Sequence, residues 1–192
     1  MQKIEFIWRH LLDKYLESRQ SFFRQQDLAA RFHLSSSTVN LAVKPLRELG
    51  AIKVGGRGFE ILNPDKILYH WASHHRLVPQ IQLRVNLPIL EIEGRLPDGT
   101  IPTAYTAVRE HFGEPPADYD KVHCYHPHPT VIASRFETEI IPGPSNLFIL
   151  QSDSFLSSLS LSQLFVDLWQ LSDWYSTDFV NLVKSKINEL LP

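Results

Sequence analysis

Residues 24–52 read RQQDLAARFHLSSSTVNLAVKPLRELGAI, and this stretch decides the fold. Leu28, Ala29 and Phe32 fall on one side of a helix over Gln25–Phe32. His33 and Leu34 make a short turn. Ser35 stands where a helix N-cap belongs, because its hydroxyl can accept from a free first-turn amide. Val39, Ala42, Val43, Leu46 and Leu49 then recur at helical spacing, and Gly50 supplies the stop. Ala29 is small enough for the two helices to cross closely, Leu34 plugs the turn, and Val39 and Val43 pack back on the first helix. The pattern predicts a helix-turn-helix whose second helix is opened by Thr38 and presents Ser36, Ser37, Asn40, Leu41 and Lys44 outward.

Working outward, Ile52-Lys53-Val54 and Phe59-Glu60-Ile61-Leu62 read as two short strands around Gly55-Gly56-Arg57-Gly58, a hairpin with one cation at its tip. Upstream, Ile4, Ile7, Trp8, Leu11, Leu12, Tyr15 and Leu16 form the stripe of an amphipathic helix. Helix, helix-turn-helix and hairpin together predict a winged helix over residues 1–64. In that arrangement the second helix of the motif enters a DNA major groove with its N-terminal residues against base edges. Ser36, Ser37, Thr38, Asn40 and Lys44 are therefore the candidate DNA contacts, with Asn40 able to bond an adenine edge through both amide atoms. Arg57 is placed to enter a minor groove or meet a phosphate. Pro45 removes one amide donor from the helix, which predicts a kink and confines base contacts to the first two turns.

Charge supports the division. Residues 1–64 hold ten Lys and Arg against six Asp and Glu, a net of +4, while the whole chain of 192 residues carries −2 and the remainder therefore −6. Asn63-Pro64-Asp65 is a turn and the predicted boundary, with a mixed α/β domain over 65–192 and an α+β fold for the whole. There Lys66–Arg76 reads as a helix, Ile81, Leu83 and Val85 as a strand, and Ala104–Phe112 as a helix. Val122–Tyr125, Arg135–Ile141 and Leu147–Leu150 read as strands, and the last forty residues as helices. The segment between positions 79 and 144 holds most of the thirteen prolines, which argues against a helical bundle there.

No uninterrupted apolar stretch approaches the ~18 residues of a membrane helix, and the charged N-terminus is unlike a signal peptide. The single cysteine excludes an internal disulfide and a multi-cysteine zinc finger. A cytoplasmic protein is the expectation. In Lys121–Thr130, KVHCYHPHPT, the residues His123, Cys124, His126 and His128 suggest a metal, but Pro127 and Pro129 break the strand and no second ligand segment accompanies them. The pair His70/His74 lacks the Glu of a zinc-protease helix. Asp118 and Asp120 have the spacing of a nucleotidyltransferase metal pair without the upstream Gly-Ser helix start, and Asp167 calls for a local hydrogen bond or ion pair. With no phosphate loop and no G-x-S-x-G, the expectation is no enzyme, no cofactor and no metal.

The first 64 residues resemble MarR-like regulators. Together with Asn63-Pro64-Asp65, Tyr69–Ser73, Thr103–Ala107 and QLFVDLWQLSDW at 163–174, the chain is similar to AbiEi-like antitoxins of type IV toxin–antitoxin systems. The resemblance implies an autorepressor that binds inverted repeats in its own promoter and a C-terminal domain that counters a nucleotidyltransferase toxin without stable binding. The partners implied are double-stranded DNA and a second copy, as a homodimer or on an inverted repeat. Two other classes stay open: a winged-helix protein-interaction adaptor, and a nucleotidyltransferase-like enzyme using Asp118 and Asp120.

Overall fold

A computed structural model describes residues 2–191. The chain is α+β, with its helices distributed around two small sheets. It divides into two compact units. The first comprises residues 1–76 with returns at 160–166 and 186–192, and the second 77–159 and 167–185. The boundary expected at 64/65 therefore falls inside the first unit. Helix α4 (Pro64–His74), capped by the Asn63 side chain on the Lys66 amide, belongs to that unit. Its apolar face of Ile67, Leu68, Trp71 and Ala72 is buried.

In the first unit the order is α1 (Lys3–Ser18), β1 (Phe22–Phe23), α2 (Gln25–Phe32), α3 (Ser36–Glu48), β2 (Ile52–Gly55), β3 (Gly58–Ile61) and α4. The three strands form one antiparallel sheet in the order β1-β3-β2, with Phe23 opposite Phe59 and Val54 opposite Phe59 on its other side. Periodicity explains the helices: α1 buries Ile7, Trp8, Leu11 and Leu12, and α3 buries Val39, Ala42, Val43 and Leu46. The Trp8 indole N–H donates to the Ala42 carbonyl at 2.9 Å and so ties α1 to α3. Leu49, expected on the buried stripe of α3, is instead exposed at the C-cap. Strand β1 gives no signal in the sequence, being two residues long.

At the start of α1, the Glu5 carboxylate accepts from the Gln2 amide at 2.8 Å, the Trp71 indole at 3.0 Å and His75 Nδ1 at 2.5 Å. Glu5 and His75 are both buried. The carboxylate thereby caps α1 and fastens the C-terminal end of α4 to it. Burial pushes the Glu5 carboxyl up, but the His75 hydrogen bond, the Gln2 amide, the His75 charge and the Trp71 indole outweigh it and hold the group below its ordinary value.

The second unit is built on a four-stranded sheet in the order β4 (Ile81–Leu83), β7 (Leu147–Gln151), β6 (Val122–His126), β5 (Ile101–Thr103). The central β6 and β7 are parallel, and the edge strands are antiparallel to them. Val122, Cys124, Leu147 and Ile149 pack with Ile92 of α5 (Ile89–Gly94) and with Ile132 and Phe136 at α7 (Pro129–Arg135). Burial pushes the Cys124 thiol up to about 12, which makes it an inert core group. The strand expected over Arg135–Ile141 is absent. Pro129 instead starts α7, Ile132 and Phe136 bury one helical face four residues apart, and a 3-10 turn follows at Glu137–Glu139. Val85, expected in β4, lies beyond its end, where Asn146 satisfies both its N–H (2.8 Å) and its C=O (3.0 Å). Helix α6 (Ala104–Phe112) has the predicted bounds, and α8 (Leu161–Trp169) and α9 (Ser176–Glu189) close the chain.

Candidate nucleic-acid interface

Two patches of the first unit carry the candidate residues. The first is the outer face of α3. Ser35 caps this helix, its Oγ accepting from the Thr38 amide at 3.2 Å and sharing a hydrogen bond with Thr38 Oγ1 at 2.9 Å. The cap fixes where the helix begins and so which residues face out. Ser36, Ser37, Asn40 and Lys44 are exposed, with Leu41 among them at 63% exposure. Thr38 differs from expectation, because it is half-buried and its hydroxyl is engaged with Ser35. Lys44 approaches Glu48 at 3.9 Å, an exposed i,i+4 pair too weak to hold the ammonium away from another anion. Helix α3 runs on through Pro45 to Glu48, and the proline removes only the donor that would have served the Leu41 carbonyl.

The second patch is the tip of the β2–β3 hairpin. Gly56 and Arg57 form its two-residue connection, and the Arg57 side chain is exposed. Beside it lies a cavity of about 430 Å³ lined by Arg24, Gln25 and Gln26 at the start of α2 and by Val54–Gly58. Neither the Arg24 nor the Arg57 side chain has an ion pair or hydrogen bond among the described residues. No acidic residue lines the cavity. Arg24 escapes sequence reading, because it precedes its helix and comes to line the same cavity as Arg57 through β1–β3 pairing. That pairing is close: a Cβ on Gly58 would lie 2.3 Å from the Phe23 carbonyl oxygen.

Chemically, the α3 face offers hydroxyls, an amide and one ammonium on a rigid element. The hairpin patch offers two guanidinium groups, which bind phosphate through paired N–H donors. The α3 residues do not line the hairpin cavity, so the two patches are distinct.

In the remaining constellations His123 and His126 are buried, while His74, Asp118, Asp120 and His128 are exposed. His123 on β6 is buried and stacked on Phe148 at 4.6 Å; burial drives its pKa down to about 4, against the opposing pull of Asp173 and Asp167. His126 Nδ1 accepts from the His128 amide at 2.9 Å. His70 and His74 pack edge-on against Trp8. Among the described residues no group of three His, Cys, Asp or Glu is placed to hold a metal ion. Asp120 accepts from the Tyr175 hydroxyl at 2.5 Å, and Asp167 from Thr103 at 2.7 Å and Tyr125 at 3.0 Å. Tyr119, between Asp118 and Asp120, donates to Glu93 at 2.6 Å and accepts from Arg109 at 3.0 Å. Among the described residues no helix is long and apolar enough to cross a membrane. Compared with protein-family models, curated proteins and solved structures, the chain matches none.

Proposed function

We propose that this protein is a DNA-binding transcriptional regulator whose first unit is a winged helix. On this reading α3 lies in the major groove and the β2–β3 hairpin is the wing. The observation that carries it is the Ser35-capped α3, which buries Val39, Ala42, Val43 and Leu46 and turns Ser36, Ser37, Asn40 and Lys44 outward. The element order of helix, strand, two helices and hairpin supports the same reading, as does the unpaired Arg57 at the hairpin tip. An outward face in which Leu41 is the one exposed apolar side chain of Ser36–Lys44 favours DNA over a protein-docking surface, which would be mainly apolar. Asn40 reads base edges, while Lys44 meets a phosphate. A net charge of +4 over residues 1–64 is modest, so two copies on an inverted repeat supply the affinity one copy lacks.

The resemblance to AbiEi-like antitoxins extends the proposal to a cytoplasmic autorepressor, without enzymatic activity of its own, linked in function to a nucleotidyltransferase toxin. Fluorescence anisotropy of the full chain on duplexes from upstream of its own gene, against scrambled duplexes, tests this. Tighter binding to an upstream duplex is expected. Equal affinity for both refutes the regulator, and no binding to either refutes DNA recognition altogether.

A further inference from the structure

The outward position of Arg57 suits two modes of DNA contact, entry into the minor groove or docking on the backbone, and the cavity beside it decides between them. Arg57 shares that cavity with Arg24, no carboxylate is among its lining residues, and its volume of about 430 Å³ has room for a phosphodiester with its flanking sugars. Asp27 lines a separate cavity, which Arg24 also borders. The glycines of the hairpin point the same way. Neither Gly55 nor Gly56 has a positive φ, so the turn itself does not require glycine at either position. A Cβ on Gly56 would meet nothing within 4 Å, and one on Gly55 only the Gly58 carbonyl at 3.9 Å. Glycine that neither the backbone conformation nor internal packing demands is suited to close approach by an external group. Gly58 is different, since contact with Phe23 requires it there.

We propose that this groove seats one phosphodiester of a DNA strand, held jointly by Arg24 and Arg57, so that the hairpin docks on the backbone instead of entering the minor groove. The inference rests on the reading of the chain as DNA-binding. It adds Arg24 to the interface and makes the Arg57 contact independent of sequence. Two guanidinium groups on one phosphate also mean that neither alone accounts for its neutralisation.

The test uses the full chain and a short mixed-sequence duplex, with a second duplex in which inosine replaces guanine and so removes the minor-groove amino group. Salt titrations compare the wild type with Arg24→Gln, Arg57→Gln and the double variant, all checked for folding by circular dichroism. One shared phosphate predicts that the double variant lowers the slope of log K against log salt by about 0.9, with each single variant lowering it by less. Inosine leaves the effect of Arg57→Gln unchanged. Gly56→Val, which fills the open approach, weakens binding to both duplexes. A double variant that lowers the slope by about twice that amount, in two equal steps, would overturn the shared phosphate. Dependence of the Arg57 effect on inosine would place the hairpin in the minor groove. A wild type that binds neither duplex would instead remove the DNA reading on which the clamp depends.

Discussion

Replacing Gly58 by alanine tests how the hairpin is held. The added Cβ would sit 2.3 Å from the Phe23 carbonyl oxygen and 2.8 Å from the Phe22 ring. Ordinary carbon–oxygen contact needs roughly 1 Å more than the first of these, and backbone cannot yield as a side-chain tip does. Either β1 separates from β3 or the hairpin tilts. Strand β1 pairs with β3 through only two residues, Phe22 with Glu60 and Phe23 with Phe59, so this edge gives way first. Overpacking of this kind costs about 1–3 kcal/mol. With a urea slope of about 2 kcal/mol per molar, the unfolding midpoint falls by roughly 0.5–1.5 M. Gly56→Ala is the control, since nothing lies within 4 Å of its Cβ, and its stability stays within about 0.5 kcal/mol of the wild type. Hydrogen exchange at the Ile61 amide, which donates to Ser21 at 2.8 Å beside the pairing, reports the local loss. Equal midpoints for the two variants, with Ile61 protection unchanged, would refute the close packing of β1 on β3.

Three further outcomes follow from other contacts. Ser35→Ala removes the cap of α3 and should destabilise the chain by about 0.5–2 kcal/mol in urea unfolding, with Ser35→Asp, another capping residue, recovering most of it. Asn146→Ala leaves the buried N–H and C=O of Val85 without partners and should cost roughly 2–5 kcal/mol; a loss below 1 kcal/mol would mean that water replaces the amide. His123 is held neutral with a pKa of about 4 against an ordinary 6.5, so the unfolded chain takes up its proton first as pH falls. The stability this gives is complete above about pH 6.5 and is lost progressively down to about pH 4, by roughly 3 kcal/mol in all. His123→Gln should flatten that part of the stability–pH curve, and an unchanged curve would show that the imidazole titrates freely in the fold.

Legibility in the sequence follows the range of the interactions that decide each element. Helices α2, α3 and α6 follow from local periodicity and caps, with Ser35 and Gly50 marking the ends of α3. The hairpin follows from its glycines. Residues 129–141 mislead because Ile132 and Phe136 bury a helical face, while the Arg135–Ile141 segment taken alone alternates like a strand. The boundary of the first unit depends on what α4 packs against, and its Ile67, Leu68, Trp71 and Ala72 stripe looks the same in either unit. Among the candidate contacts, Ser36, Ser37, Asn40, Lys44 and Arg57 are legible as outward positions. Thr38 is half-buried instead of outward because the cap engages its hydroxyl. Arg24 is missed because only the pairing of β1 with β3 brings it beside Arg57.

On the proposed reading, the outer face of α3 and the hairpin tip meet DNA. Hydrogen–deuterium exchange of the full chain, with and without a saturating duplex from upstream of its gene, tests that claim residue by residue. Protection on binding is expected across Ser36–Lys44 and Gly55–Gly58, with the start of α2 at Arg24 included and residues 77–159 unchanged. Protection confined to residues 77–159, or none anywhere on a duplex shown to be bound, would contradict it.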